Sequence, residues 1–131
     1  MAEAHTPLVM TGNQTTAGAV FEAVNLTLRG SVFSSIAVPP GTVLVISSIS
    51  IASIGGPSSW VLDYSTDGIN FSPVAGMTAI DLATAPGPIY NFSVGLAFNG
   101  NAGPDVRVAL LVLTPSGATP VTCTITGYTE P

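Results

Sequence analysis

Apolar positions recur at period two along most of the chain. Tyr90, Phe92, Val94, Leu96 and Phe98 alternate with Asn91, Ser93, Gly95 and Ala97, as in a strand that buries one face. Val121, Cys123 and Ile125 alternate with Thr122, Thr124 and Thr126 in the same way. Earlier, Val20, Val24, Leu26 and Leu28 share one face of a strand expected to run from Ala19 to Gly30. Val32, Ile36 and Val38 follow and are stopped by Pro39-Pro40-Gly41. Thr42–Ile54 changes phase near Ser47-Ser48, which predicts a bulge or a bend between sheets. Trp60, Leu62 and Tyr64 alternate with Val61, Asp63 and Ser65, and Asp67-Gly68 then predicts a hairpin into Ile69–Phe71. A weaker strand covers Met77–Leu82, and Val106–Leu113 reads as a strand buried on both faces. No segment carries an apolar stripe at helical spacing.

About eight strands separated by short breakers predict an all-β, antiparallel β-sandwich, because hairpins need few connecting residues whereas parallel crossovers need helices. A jelly-roll-like order is the first expectation. An immunoglobulin-like sandwich is the alternative, although its Cys–Trp–Cys hallmark is missing. Residues 1–18 are mostly small and polar around the apolar knot Leu8-Val9-Met10 and read as an N-terminal arm. Residues 19–131 form the single sandwich domain, and the tail after Tyr128 is a second segment able to lie across a neighbour as an added strand.

Charge narrows the functional classes. The chain has 131 residues, 47% of them hydrophobic, but only two basic residues (Arg29 and Arg107), no lysine, and a net charge of −5. Two arginines cannot make a basic track, so nucleic acid and anionic membrane surfaces are not expected partners. The longest apolar runs are far too short to span a bilayer as a helix. Met1–His5 lacks the basic and apolar regions of a signal peptide, and one cysteine permits no internal disulfide, so synthesis in a cytoplasm is expected. Three Asn-x-Ser/Thr sequons, at Asn13, Asn25 and Asn91, are expected by chance in so Ser/Thr-rich a chain.

Candidate chemistry is sparse. Nucleophilic catalysis needs a base near a Ser or Cys. The single histidine, His5, lies in the expected arm, and Cys123 falls on an inward strand phase. Asp63, Asp67 and Asn70 could offer oxygens to Ca²⁺, but Asp67-Gly68 is more simply turn chemistry and Asp63 an outward strand residue. Neither a phosphate-cradling loop nor a dinucleotide fingerprint is present. No catalytic residue, metal site or cofactor is expected. Trp60 and Tyr64 could stack on a sugar ring, yet Leu62 between them on the same phase favours the core.

Protein contact remains. A mean hydropathy of +0.58 with so few charges leaves apolar or neutral-polar surface of the kind that docks or oligomerises. The run Trp60–Val74, with Tyr64-Ser65-Thr66-Asp67-Gly68 at its centre, resembles a hairpin widespread in small β-sandwiches of phage virions, bacterial surface proteins and carbohydrate-binding modules. The chain as a whole, short, lysine-free and rich in Ser, Thr, Gly and Pro, is similar to the capsid decoration (cement) proteins of tailed bacteriophages. That resemblance implies a jelly-roll fold, assembly as a dimer or trimer, and a role in the virion, clamping the major capsid protein or another virion protein. The alternative is a carbohydrate-binding or receptor-binding module of a tail fibre or surface protein. The expected contact residues are Leu8, Val9 and Met10 in the arm, with Asn99, Asn101 and Pro104 in the Asn99–Pro104 loop.

Overall fold

The computed structural model describes residues 6–15, 21–53, 58–74, 80–82, 89–113 and 120–131. His5, Val20, Met77 and the breakers at 55–57 and 85–88 lie outside them, as do the side chains of Tyr90, Phe92 and Val94. The described residues hold β1 (Thr6–Thr15), β2 (Glu22–Ala23), β3 (Leu26–Leu28), β4 (Ser31–Phe33), β5 (Ile36–Val38) and β6 (Val43–Ser53). They continue with β7 (Ser58–Ser65), β8 (Ser72–Pro73), β9 (Ile80–Leu82), β10 (Ile89–Asn99), β11 (Val106–Leu113) and β12 (Pro120–Glu130).

These strands form two antiparallel sheets packed face to face. Sheet A has the order β10-β6-β12-β1-β3-β4. In sheet B, β11 lies between β7 and the short pieces β2 and β5, while β7 is flanked on its other side by β8 and β9. Leaving aside the small pieces β2, β3, β4 and β8, β1-β12-β6-β10 faces β5-β11-β7-β9. Apart from the neighbours β7 and β9, successive strands therefore change sheet each time, in the double Greek-key order of a jelly roll. The immunoglobulin alternative fails on β12: that order leaves the last strand at a sheet edge, whereas β12 is paired along both sides, with β6 and with β1.

The core contains many of the inward positions that the alternation predicts. Trp60, Leu62, Leu110, Val112, Ile49, Ile51 and Val121 are fully buried, and Cys123 and Ile125 lie beside them. The phase change in β6 is a bulge within sheet A and not a passage between sheets. Ile46 pairs with Gly127 and Ser48 with Thr126, so Ser47 is the extra residue. That insertion lets Leu44 and Ile46 point inward before it and Ile49 and Ile51 after it. Gly127 is required opposite the bulge, since a Cβ there would lie 2.0 Å from the Val45 carbonyl oxygen.

Four expectations need correction. Thr6–Thr15 is not an arm or an edge strand: β1 pairs along its whole length with β12 and over Thr11–Gly12 with β3. The tail is likewise part of the sheet, with Thr129 and Glu130 paired to Leu44 and Val43. The single strand expected over Ala19–Gly30 is broken, because Glu22–Ala23 pairs with β11 in sheet B while Leu26–Leu28 pairs with β1 in sheet A. Burial stays in phase across that change of sheet, with Val24 and Leu26 both inside. Val32, expected on the inner face with Ile36 and Val38, is 62% exposed on the edge strand β4.

Candidate protein-contact surface

Because β1, β12 and β6 each bury alternate residues, their remaining side chains share the outer face of sheet A. The pairing places them in cross-strand rows. Val32 lies opposite Thr27, Thr27 opposite Thr11, Thr11 opposite Thr124, and Thr124 opposite Ser50. The next row runs Val9, Thr126, Ser48, and its last two hydroxyls are hydrogen-bonded to each other. Pro7 and Tyr128 lie beyond them, and Asn13 with Thr122 on the other side. Val9 is 56% exposed, and Thr11, Asn13, Thr27 and Thr122 are exposed as well.

Among the described residues these rows carry no ionised side chain; Glu130 stands beyond them at the end of β12. Glu22, Asp63, Asp67, Asp81, Asp105 and Arg107 fall instead on the strands of sheet B and its loops. At strand spacings of about 4.8 Å and rises of about 3.4 Å per residue, the rows from β4 to β10 cover roughly 500 Å² in projection. Uncharged hydroxyls and β-branched carbons lose little on desolvation compared with ions, so this face is the cheapest part of the molecule to bury.

The expected contact residues are dispersed. Leu8 and Met10 point into the chain's own core, 7% and 1% exposed, so both are corrected to core residues and only Val9 of the three faces outward. Asn99, Asn101 and Pro104 are exposed at the end of the sandwich, where the Val43 to Asn99 pairing closes the β6–β10 ladder. Asn101 Oδ1 accepts from the Gly41 amide at 3.0 Å, and Asn99 Oδ1 accepts from the Asn101 amide at 2.8 Å. Asn101 therefore ties the loop to the Pro39–Thr42 turn, and Asn99 braces the loop from within. Sequence reasoning missed Val32; Phe33, 41% exposed on the same edge strand, pairs with the core residue Leu26 and so lies on the inner side of the sheet.

The chemistry weighed for other roles resolves into structure. The Asp67 carboxylate accepts from the amides of Ile69 and Asn70 and from Asn70 Nδ2, each at 2.8 Å, and from Ser65 Oγ at 2.9 Å. Those bonds hold its carboxyl well below the usual range. Gly68 has the positive φ that the Asp-Gly turn predicted. No group of three or more His, Cys, Asp or Glu that could hold a metal ion occurs among the described residues. Cys123 is buried, which pushes its thiol up to about 11. Trp60 is fully buried and Tyr64 packs against the core, so neither forms a sugar platform.

Asp63 is the exception. It sits on the outer side of β7 between Ala109 and Pro73, only 8% exposed, and its Oδ1 has no hydrogen-bond partner. Desolvation raises its carboxyl above the ordinary value of 3.8. The folded chain therefore holds this proton at pH values where the unfolded chain has released it, and stability falls as pH rises from 3.8 through the raised folded value. Asp67 acts in the opposite sense below 3.8, where its protonation removes stability. Stability should thus peak in the mildly acidic range. Asp63→Val is expected to stabilise the fold at neutral pH by on the order of 1–2 kcal/mol and to flatten the slope above pH 4, as read by urea denaturation across pH.

The β3–β4 connection carries the other irregularity. Leu28 pairs with Ser31, so Arg29 and Gly30 form a two-residue turn with φ of 51° and 83°. Positive φ at both central positions is the type I′ signature, where Asn and Gly are the favoured residues. Arginine there costs about 1–2 kcal/mol of steric strain. No protein-family model, curated protein or solved structure matches the chain.

Proposed function

We propose that the chain is a structural virion protein, a capsid decoration (cement) protein that binds and stabilises the shell through protein–protein contacts. The observation that supports this reading is the neutral outer face of sheet A, hydroxyl-rich with Val9 and Val32 exposed on it, on a domain whose charges lie elsewhere. In this reading the partner is the major capsid protein or another virion protein, and the chain is made in the host cytoplasm and resides in the virion. Catalysis and cofactors have no part in the role.

Size argues for several copies acting together. A stable interface buries about 800 Å² per partner, more than one face of roughly 500 Å² provides. A dimer or trimer presenting two or three such faces to a symmetric shell gains the remainder through effective concentration. Bound copies then stabilise the shell by mass action. The carbohydrate-binding alternative loses its stacking platform with the burial of Trp60.

The test is co-sedimentation of the purified chain with mature shells of the virus that carries its gene, after the shells have been stripped of it. Binding is expected, and it should change less than about twofold between low salt and about 1 M NaCl, because the neutral face offers its partner no charges for salt to screen. Absence from the particle fraction overturns the decoration role. A steep loss with salt overturns the neutral face as its means.

A further inference from the structure

We infer that the open end of the sandwich beside the β3–β4 turn is a binding site for a small amphiphilic carboxylate, an apolar tail of about six carbons with one anionic head. A cleft of about 240 Å³ lies there between the two sheets. Leu8, Leu28 and Leu44 line it from sheet A and Ile36 and Val38 from β5, while Arg29, Thr42 and Thr129 add polar groups to its wall. Leu28 is half-buried there, while Leu8, Ile36, Val38 and Leu44 form the buried floor.

Three observations converge on this ligand class. The first is shape and lining: an apolar cavity of about 150 Å³ already holds a benzene ring, so this cleft accepts a short alkyl or aryl tail. The second is charge. Arg29 is one of two cations in a chain of net charge −5, and no acid among the described residues pairs with it, whereas Arg107 is held by Asp105 at 3.0 Å. A planar guanidinium beside an apolar cleft matches a carboxylate, which it can grip through two parallel hydrogen bonds. The third is backbone strain. A long charged side chain occupies a left-handed position that asparagine or glycine would fill more cheaply, and strain of this kind clusters at ligand sites.

The strain makes the test clean, because removing the arginine relieves the backbone. Arg29→Asn is expected to raise the thermal midpoint by roughly 2–6 °C, so any loss of binding cannot come from unfolding. The probes are hexanoate, with 1-hexanol as its uncharged counterpart, followed by the methyl resonances of Leu28, Ile36, Val38 and Leu44. Hexanoate should shift these methyls saturably. Arg29→Asn should weaken hexanoate at least tenfold and leave 1-hexanol unchanged, while Arg29→Lys should restore part of the loss. Absence of saturable shifts, or equal hexanoate affinity in wild type and Arg29→Asn, overturns the site. Particle binding enters neither measurement, so this site and the decoration role stand or fall separately.

Discussion

Trp60→Ala is expected to cost the fold about 3–5 kcal/mol, the usual range for emptying an aromatic core position. Trp60 is fully buried on β7, with Val112 opposite it on β11 and the rest of the inter-sheet core around it. Domains of this size retain about 5–15 kcal/mol in total, so the variant should populate unfolded chain in mild urea, where wild type remains folded. Denaturation followed by far-ultraviolet circular dichroism reads the loss directly. A midpoint within experimental error of wild type would mean that Trp60 is not packed as described. The same result bears on glycan binding: loss of polysaccharide retention in Trp60→Ala would report a broken core, and could not be read as a missing stacking ring.

Much of this architecture was legible because burial is written in period two. The inward series Trp60-Leu62-Tyr64 and Val121-Cys123-Ile125, the two-faced burial of β11 and the phase change at Ser47-Ser48 all follow from which residues alternate with which. Pairing was far less legible. β1 lies beside β12, more than 100 residues away in sequence, and its small polar residues look like an arm until Leu8 and Met10 are seen pointing into the core. The break between β2 and β3 hides for a different reason. Val24 and Leu26 stay in phase although the chain crosses from one sheet to the other between them, and a shared inner space demands the same alternation from both.

The contact surface was hidden by the same logic. Its residues are the outward half of strands read for their inward half, and only sheet order shows that Thr11, Thr27, Thr124 and Ser50 stand side by side. Val9 stands between two apolar neighbours that belong to the core, and its own exposure is what qualifies it. Arg29 gave no sequence signal beyond the glycine that follows it, because a positive φ at a non-glycine residue is visible only in the backbone.

Placing a charge in the middle of that face is expected to abolish docking while sparing the fold. Val9→Lys and Val9→Glu each put an ion where 56% of the side chain meets solvent and the neighbouring rows are neutral. In the free chain the ion stays hydrated, and surface substitutions of this kind change stability by no more than about 0.5 kcal/mol. In the docked state the ion is stripped of water without a built partner, which costs about 2–5 kcal/mol, or a loss of roughly 30-fold to several thousand-fold in affinity. Thr122→Lys, on the row beyond, should behave in the same way, whereas Ser72→Lys on the opposite sheet should bind shells as wild type does. Testing both signs is what gives the comparison its force. A neutral interface penalises lysine and glutamate alike, since the loss is desolvation. If lysine weakened binding while glutamate strengthened it, the partner surface would be basic, and attraction to the acidic chain as a whole would replace the neutral sheet as the source of affinity. If neither changed the bound fraction, the outer face of sheet A would not be the contact.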